Sequence, residues 1–336
     1  MTVYNSFIRE NVAPKSARQI VVYNKRGVQV GVIPLGSMRF PDAGQRLFSF
    51  LLLSDVHVVY DTGDKDLRRA LTYAANNSDI SFTVISGDLT DKGTTEQLTS
   101  YKTIVDETFG GKPVYACAGN HEHYSSTSNT YLDQYTGNQL CFKFSRGDHV
   151  FLMVGVSSGT KGSMFTNGQL QWLYDNLEAN RDKHCWIVQH VLAPEGSGDI
   201  LGLYPYSKLS DTEGMVFKSL LKHYKNAIFV HGHSHMQFAM QKYGMTANYD
   251  KAFGIHSIHV PSCAVPRKPN ADESEYETYY DGSEGYVVDV YKNGIHLRGR
   301  DFVNGEFLPI ASYWLDTTLQ TVAAGTYTDS TGTITT

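Results

Sequence analysis

Residues 47–57 of the chain read LFSFLLLSDVH. A stretch this apolar is typical of a strand that is buried on both faces of a sheet. The strand ends by presenting Asp55 and His57, which point to the same side if the chain stays extended there. A carboxylate oxygen and an imidazole nitrogen at one strand end suit a hard or borderline divalent metal ion. The stretch therefore predicts a metal site at the end of a central strand.

Four further polar stretches follow apolar runs along the chain. They are Gly87-Asp88-Leu89-Thr90-Asp91, Gly119-Asn120-His121-Glu122, His190, and Gly232-His233-Ser234-His235. In open α/β sheets, sites form at the carboxyl ends of the strands. Polar clusters that recur at strand ends therefore predict one shared site. The three glycines at 87, 119 and 232 are expected to let the backbone turn sharply beside it.

From Leu47 the sequence alternates between strand and helix patterns. Leu67, Ala70, Leu71 and Ala74 share one face of a predicted helix, for which Asp64 is a candidate N-cap. A second amphipathic helix is marked by apolar residues at 98, 101, 105 and 109, and two more are predicted at 169–179 and 215–224. The other apolar runs predict strands at 81–86, 113–118, 142–144, 150–156, 186–189, 227–230, 255–260, 286–291 and 295–300.

This pattern predicts a mixed α/β (α+β) fold in which two mixed sheets stack face to face with helices outside, a four-layer αββα sandwich. Runs at 19–23 and 28–33 flank Asn24-Lys25-Arg26-Gly27 and predict a β-hairpin, either an added sheet edge or part of a small module. Residues 326–336 are rich in Thr, Ser and Gly and predict a frayed tail or an isolated strand. We divide the chain into a hairpin extension at 1–46, a central domain at 47–309 and a tail at 310–336.

Composition excludes several classes of protein. The chain has 336 residues, a formal net charge of -5 and no polybasic patch, so an extended duplex nucleic acid is not an expected partner. Its start has no charged region followed by an apolar one, and no apolar run reaches the ~18 residues of a membrane span. We therefore expect a cytoplasmic protein without a membrane partner. Cys117 and Cys185 lie in strand-like runs, which favours buried free thiols over disulfides. Nothing in the sequence indicates the oligomeric state.

In chain order the five stretches have the forms D-x-H, G-D-x-x-D, G-N-H-[DE], a lone His, and G-H-x-H. Together they resemble the calcineurin-like metallophosphoesterase family, the binuclear metallophosphatases, over residues 47–300. The resemblance implies that Asp88 bridges two metal ions. One ion would also bind Asp55, His57 and His235, and the other would also bind Asn120, His190 and His233. His121 would face the substrate instead, oriented by Asp91.

Two such metals clamp the attacking and leaving oxygens of a displacement and lower the pKa of the bridging water, so that a metal-bridging hydroxide attacks phosphorus. Two divalent ions, two carboxylates and that hydroxide leave a net charge of about +1, which favours a small phosphorylated substrate. His121, if protonated, would stabilise the phosphoryl oxygens or protonate the leaving alkoxide. Manganese, iron and zinc all fit these ligands, as divalent or mixed-valence pairs.

Within the family, the motifs look more like the phosphodiesterase branch. The related protein Ser/Thr phosphatases usually carry Asp-Arg-Gly where this chain has Asp91-Lys92-Gly93. Purple acid phosphatases place a metal-binding Tyr in the second motif, where this chain has Leu89-Thr90-Asp91. The alternatives are a phosphomonoesterase, a nuclease of short oligonucleotides, or a metal-binding scaffold protein without turnover.

Several residues near the motifs have two interpretations. Asp91 is either the partner of His121 or the cap of the following helix. Glu122 is expected to be structural or to support the ligands, and His231 to be in the core or to support them. His123 and Tyr124 either border the pocket or are ordinary surface residues. Insertions at 191–211 and 261–285 are expected to shape the pocket, and their aromatic residues either stack on a nucleobase or pack on the protein.

Overall fold

The computed structural model describes residues 43–60, 62–108, 111–125, 139–158, 164–192, 211–238, 256–269, 276–278 and 282–319, together with short strands at 19–23, 29–34, 241–242, 245–246, 249–250, 327–329 and 332–334. Within these ranges, none of the helices is long and apolar enough to cross a membrane.

In chain order the elements are β1 (Gln19–Tyr23), β2 (Gln29–Pro34), β3 (Arg46–Leu53), α1 (Gly63–Asn76), β4 (Ile80–Ile85), α2 (Thr95–Thr108), β5 (Val114–Ala116), a 3₁₀ turn (His121–His123), β6 (Cys141–Arg146), β7 (His149–Val154), α3 (Asn167–Ala179), β8 (His184–Val188), α4 (Asp211–His223), β9 (Ala227–His231), β10 (Gln241–Lys242), β11 (Met245–Thr246), β12 (Tyr249–Asp250), β13 (His256–His259), β14 (Arg267–Pro269), β15 (Tyr276–Thr278), β16 (Glu284–Tyr291), β17 (Gly294–Asp301), β18 (Glu306–Asp316), β19 (Tyr327–Asp329) and β20 (Gly332–Ile334).

Two six-stranded mixed sheets form the centre of the molecule. The first has the strand order β18-β17-β16-β3-β4-β5, in which β3, β4 and β5 run parallel and β16 pairs antiparallel with β3. The second has the order β12-β13-β9-β8-β7-β6, with β13, β9, β8 and β7 parallel. The strand β3 is therefore central, and Leu51, Leu52 and Leu53 at its end have no solvent exposure, as the opening stretch predicts.

Aromatic side chains hold the two sheets face to face. Phe50 and Phe82 of the first sheet stack with ring centroids 5.0 Å apart, and Phe151 and Trp186 of the second stack at 5.3 Å. Phe50 meets Phe151 edge to face at 5.4 Å, which joins the two pairs across the interface. Large flat rings buried from both sides exclude water from the centre of the sandwich.

Helices cover the outer face of each sheet. The inward faces of α1 and α2 pack on the first sheet, where Leu67 and Ala70 join Leu51 and Leu53 in one apolar cluster. The helices α3 and α4 cover the second sheet in the same way, in a separate cluster of buried residues. The predicted four-layer αββα sandwich is confirmed. It places the carboxyl ends of β3, β4, β5, β8 and β9 where loops of both sheets can meet.

The entry into α1 differs from the prediction. Asp64 is not the N-cap, because the helix begins at Gly63 and Thr62 precedes it as the cap residue. The Asp64 carboxylate instead accepts a hydrogen bond from the backbone N–H of Val59 at 2.6 Å. A Cβ atom on Gly63 would lie 2.3 Å from the carbonyl oxygen of His57, so the close fit of the helix start against the first motif requires glycine. In α2, Leu98 and Tyr101 are buried as predicted, whereas position 109 lies outside the described residues.

The ends of the chain carry small sheets of their own. The strands β1 and β2 pair antiparallel as a two-stranded sheet, which confirms the predicted strand pair, and among the described strands they pair with neither main sheet. The turn predicted at residues 24–27 lies outside the described residues. Position 309 falls inside β18, which pairs with β17 as far as Asp316, and β19 pairs with β20. The division into three domains stays a prediction.

Candidate metal centre

Five loops that follow strands converge at one edge of the sandwich. Backbone hydrogen bonds join the first two motifs, from Asp55 N–H to the Gly87 carbonyl and from His57 N–H to the Asp88 carbonyl, both at 3.1 Å. On the second sheet, Gly232 N–H donates to the His190 carbonyl at 3.0 Å. The two sheets are joined at the site by His233 N–H, which donates to Asp55 Oδ2 at 3.0 Å. The predicted motifs therefore lie together, with their backbones locked to one another.

The first group of potential ligands comprises Asp55, His57, Asp88 and His235. His235 Nε2 lies 3.0 Å from Asp55 Oδ1 and 3.1 Å from His57 Nε2, and His57 Nε2 lies 3.8 Å from Asp88 Oδ2. Two ring nitrogens at 3.1 Å can share one hydrogen bond at most, but both can give a lone pair to one cation. All four side chains are buried. This group could hold a metal ion.

A second group comprises Asp88, His190 and His233. His190 Nε2 lies 2.9 Å from Asp88 Oδ2 and 3.1 Å from His233 Nδ1. Asp88 belongs to both groups, so its carboxylate lies between two places for a cation. Asn120 lies in the same cluster of loops, because the neighbouring His121 N–H donates to Asp88 Oδ1 at 3.0 Å.

Buried oxygens show that the site fits metal ions. Asn120 Oδ1 is buried and has no hydrogen-bond partner in the described part of the chain, while Asp55 Oδ1 and Asp88 Oδ2 are buried beside imidazole nitrogens, at 3.0 and 2.9 Å. A buried oxygen left without a partner costs free energy, more so when it is charged. The far nitrogens of two imidazoles are fixed by carbonyls, His190 Nδ1 by Ser86 at 2.8 Å and His235 Nδ1 by Val265 at 3.1 Å. These contacts leave Nε2 of both rings facing the cluster, as in other histidine metal sites.

The backbone is strained where these side chains are presented. Six non-glycine residues in the described ranges have positive φ, and five of them are predicted ligands: Asp55 (50°), His57 (42°), Asp88 (50°), His233 (76°) and His235 (60°). Such conformations cost roughly 1–3 kcal/mol each and persist only where the surroundings impose them. The concentration of strain here indicates that the site, rather than the sheets, determines the shape of these loops.

Glycines make room for the carboxylates. Gly87 has φ of 101°, so the predicted turning role is right at this position. For Gly119 and Gly232 that role is not what the structure shows, because neither has a positive φ. Instead, a Cβ on Gly119 would lie 2.1 Å from Asp88 Oδ1, and one on Gly232 would lie 2.4 Å from Asp55 Oδ2. These two glycines let the backbone approach a carboxylate closely.

Burial and neighbouring charges set the protonation of the cluster. Burial alone would raise the pKa of Asp55, but the imidazoles of His235 and His190 outweigh it and hold that pKa well below its usual range. Burial lowers the pKa of His57, and it lowers that of His233 to about 3. Burial opposes protonation of His190 too, yet the charges of Asp88 and Asp55 raise its pKa to about 9. Ionised carboxylates beside mostly neutral imidazoles are the forms that bind cations.

Glu122 fastens two of the loops together, which agrees with its predicted supporting role. Its Oε2 accepts from Gly119 N–H at 2.8 Å, and its Oε1 accepts from the Thr90 N–H and hydroxyl at 2.9 and 3.0 Å. Burial, with a smaller contribution from the charge of Asp88, raises the pKa of Glu122 to about 7. The side chain thus ties the loop after β4 to the loop after β5.

His121 lies beside the cluster and is partly exposed. Its Nδ1 lies 2.6 Å from the backbone carbonyl oxygen of Asp91, whereas the Asp91 carboxylate is 4.0 Å away. The orienting contact expected from the Asp91 side chain is therefore made chiefly by its main chain. His121 Nε2 lies 3.7 Å from Asp88 Oδ2, on the side of the cluster.

The remaining candidates are structural or lie at the rim. His231 ends β9 and packs in the core against Phe229 and His259, so the strand does not continue into the last motif. Tyr124, left open by the sequence, accepts a hydrogen bond from Asn120 Nδ2 at 2.7 Å. Tyr124 lies four residues after Asn120, and residues at this spacing on a helical turn are neighbours, so the sequence held a signal for this contact.

The structure describes little of the insertion at 191–211 but most of the insertion at 261–285. Arg267 N–H donates to the His235 carbonyl at 2.7 Å, so the second insertion supports the last motif through its backbone. The aromatic residues at 204, 206, 279 and 280 lie outside the described residues. The predicted thiols are confirmed, since all four cysteines are free and Cys117 and Cys185 are buried.

An αββα sandwich that gathers overlapping Asp/His groups at the carboxyl ends of its strands is an arrangement that could hold two metal ions side by side. The family model of the calcineurin-like phosphoesterases matches the sequence over residues 48–237, which is more than half of the chain. The chain therefore belongs to this family. Its buried Asp and His side chains form groups that could hold metal ions. A search of curated proteins gave no match.

Solved structures match this chain at low sequence identity, and one of them does so with a TM-score above 0.5. The purple acid phosphatase PPD1 from yellow lupin (Lupinus luteus) seeds is 13% identical with a TM-score of 0.54, over 89% of this chain and 59% of that one. The chain therefore spans only part of that structure's length. A second match is Vps29 from Chaetomium thermophilum, which is 13% identical with a TM-score of 0.34, over 79% of this chain and 94% of that one. A third is a protein serine/threonine phosphatase from Saccharomyces cerevisiae, which is 10% identical with a TM-score of 0.35, over 74% of each chain.

Proposed function

We propose that this protein is a phosphodiesterase that uses two metal ions held by the two overlapping groups. The observation that carries the proposal is the position of Asp88, whose buried Oδ2 belongs to both groups and lies 2.9 Å from His190 Nε2 and 3.8 Å from His57 Nε2. One ion would be held by Asp55, His57, Asp88 and His235, and the other by Asp88, Asn120, His190 and His233. When bound, such ions polarise a phosphoryl oxygen and supply a nucleophile at neutral pH. Manganese, iron and zinc suit this mixture of oxygen and nitrogen donors.

His121 is the residue that we assign to proton transfer. The carbonyl of Asp91 holds Nδ1, which leaves Nε2 for the substrate. Its side chain is 25% exposed, whereas those of His57 and His190 are buried, so it reaches the cluster from the open side. A proton at Nε2 can stabilise a phosphoryl oxygen and then pass to the leaving alkoxide.

Two features favour diesters over monoesters. Lys92, which stands where Ser/Thr phosphatases have arginine, has a side chain that is 68% exposed, so its charge is screened by solvent. Leu89 is fully buried among apolar residues, so this position provides no phenolate ligand of the purple acid phosphatase kind.

The test compares an activated aryl phosphodiester with the matching monoester, using protein loaded with Mn²⁺. His121→Ala removes the proposed proton donor, and His296→Ala is the matched control, since His296 lies on β17 and bonds Ser312 on β18, far along the chain from the motifs. We expect a diester preference that falls in the first variant only. A monoester preference would refute the diesterase assignment, and no turnover with two metals bound would favour the scaffold alternative.

The expected partner follows from the charge of the chain. With a net charge of -5, we propose a small phosphorylated substrate, without extended duplex nucleic acid or a membrane. The cytoplasmic location stays a prediction from the sequence.

A further inference from the structure

A tight helical turn follows β5 and carries two of the site's polar residues. Asn120 (φ -75°, ψ -27°) and Tyr124 (φ -79°, ψ -23°) are both in the right-handed helical region and flank the 3₁₀ turn. His123 N–H donates to the Asn120 carbonyl at 3.1 Å, and Tyr124 N–H donates to the His121 carbonyl at 3.2 Å. Residues four apart on such a turn lie on one face. The Tyr124 side chain therefore returns to Asn120.

The contact that results fixes the plane of the Asn120 amide. Asn120 Nδ2 donates to the Tyr124 hydroxyl at 2.7 Å, while Oδ1, at the other end of the amide, is buried without a hydrogen-bond partner in the described part of the chain. An amide has one end that donates and one that accepts. With the donating end held at the rim by tyrosine, the carbonyl oxygen is left for a cation.

We infer that Tyr124 is a positioning residue that aims Asn120 Oδ1 at the metal ion held with His190 and His233. The inference rests on the proposed function, because it takes Asn120 as a ligand. Residues that orient metal ligands commonly account for about 10–100-fold in metal affinity. Since Tyr124 is 55% exposed, water can partly replace its hydroxyl, and we expect the lower end of that range, about 10-fold.

The tyrosine also has a second contact, which the experiment must separate from the first. Its ring lies 4.5 Å from the ring of His121, between centroids. Tyr124→Phe removes the hydroxyl and keeps this ring contact, so it isolates the effect on Asn120. Tyr60→Phe is the matched control, because Tyr60 is a second exposed tyrosine near the site, with its ring 6.2 Å from that of His57.

The experiment is a calorimetric titration of metal-free protein with Mn²⁺, on the wild type, both tyrosine variants, Asn120→Ala and the Asn120→Ala/Tyr124→Phe double variant. We expect two Mn²⁺ ions in the wild type, and in Tyr124→Phe an approximately 10-fold loss of affinity at one site with the other unchanged. Excess Mn²⁺ should then restore hydrolysis, which it would not do for a folding defect. In the Asn120→Ala background, Tyr124→Phe should have no further effect.

Three results would overturn the inference. Affinities in Tyr124→Phe within twofold of the wild type would show that Asn120 needs no positioning, with the proposed function intact. An equal loss in Tyr60→Phe would show that the effect is not specific to Asn120. Binding of fewer than two ions by the wild type would remove the proposed two-metal function itself, and the inference with it.

Discussion

Gly119→Ala is expected to damage the metal centre by displacing Asp88. Gly119 follows β5 and passes directly beside the loop that carries Asp88. A Cβ at this position would lie 2.1 Å from Asp88 Oδ1 and 2.3 Å from the Asp88 backbone nitrogen. The carboxylate could rotate away from such a contact, but the backbone nitrogen could not. The substitution must therefore move one strand end relative to the other.

The size of the effect follows from these distances. Because ordinary Cβ contacts begin near 3.4 Å, the two loops must separate by about 1 Å. Overpacking of this kind costs roughly 1–3 kcal/mol, and we expect the upper end because backbone is involved. For a chain of this size, about 3 kcal/mol corresponds to a fall of roughly 4 °C in Tm. A 1 Å misplacement at a reacting site costs on the order of 10²-fold in rate.

The assay measures thermal unfolding, bound Mn²⁺ and diester hydrolysis on the same samples. Gly168→Ala is the matched control, since its Cβ would meet only Thr166 Oγ1, at 3.8 Å, and since alanine favours a helix over glycine by about 1 kcal/mol. We expect Gly119→Ala to lose both ions, because Asp88 serves both groups, and Gly168→Ala to keep both. If Gly119→Ala retains two ions and hydrolyses the diester within a few-fold of the wild type, the crowding argument is refuted.

Three further substitutions test other contacts. Burial raises the pKa of Glu284 to about 8, so the folded state keeps a proton that the unfolded state releases near pH 4.5, and Glu284 should contribute a fall in stability of about 2 kcal/mol from pH 6 to 8. Urea titrations at several pH values should show a smaller fall in Glu284→Gln than in the wild type, by about that amount, and an unchanged fall would contradict this. Lys112 Nζ donates to the carbonyls of Asn77 and Ile80, at 2.9 and 2.8 Å, so Lys112→Met should cost roughly 1–3 kcal/mol of unfolding free energy, and no loss in urea would contradict this. Asp91→Ala keeps the backbone carbonyl that orients His121, so the kcat for diester hydrolysis should fall less than about tenfold. Loss of a general acid would instead lower kcat by about 10²–10⁴-fold.

The parts of the fold that sequence could predict are those set by periodicity. The run ending at Leu53 can be buried on both faces only in the middle of a sheet, and the structure places it there. The faces of α1 and α3 follow from apolar spacing, and Leu71 and Leu173 are buried accordingly. The shared site was predictable too, because five polar stretches that follow strands have one common place to meet.

What sequence could not predict depends on contacts between distant loops. A glycine beside a motif is compatible with a turn or with a close approach, and only the position of Asp88 shows that Gly119 serves the second purpose. The N-cap of α1 was predicted wrongly for the same reason. The sequence makes Asp64 a plausible cap residue, but in the structure its carboxylate accepts a hydrogen bond from Val59 N–H. In Asp91 the carbonyl does what the carboxylate was expected to do, and no sequence pattern distinguishes the two.

Strain and charge at the site point to the same conclusion. Asp55 and Asp88 lie in the left-handed region, at roughly 1–3 kcal/mol each, and both carry a carboxylate that is buried among imidazole rings instead of being hydrated. Neither feature stabilises the fold, so both must be sustained by the rigid sheets beneath and by loop contacts such as those of Glu122. A cation that binds only the folded chain would offset these costs by mass action. The arrangement is therefore one that the fold maintains for binding metal ions, because its own stability would favour replacing these residues.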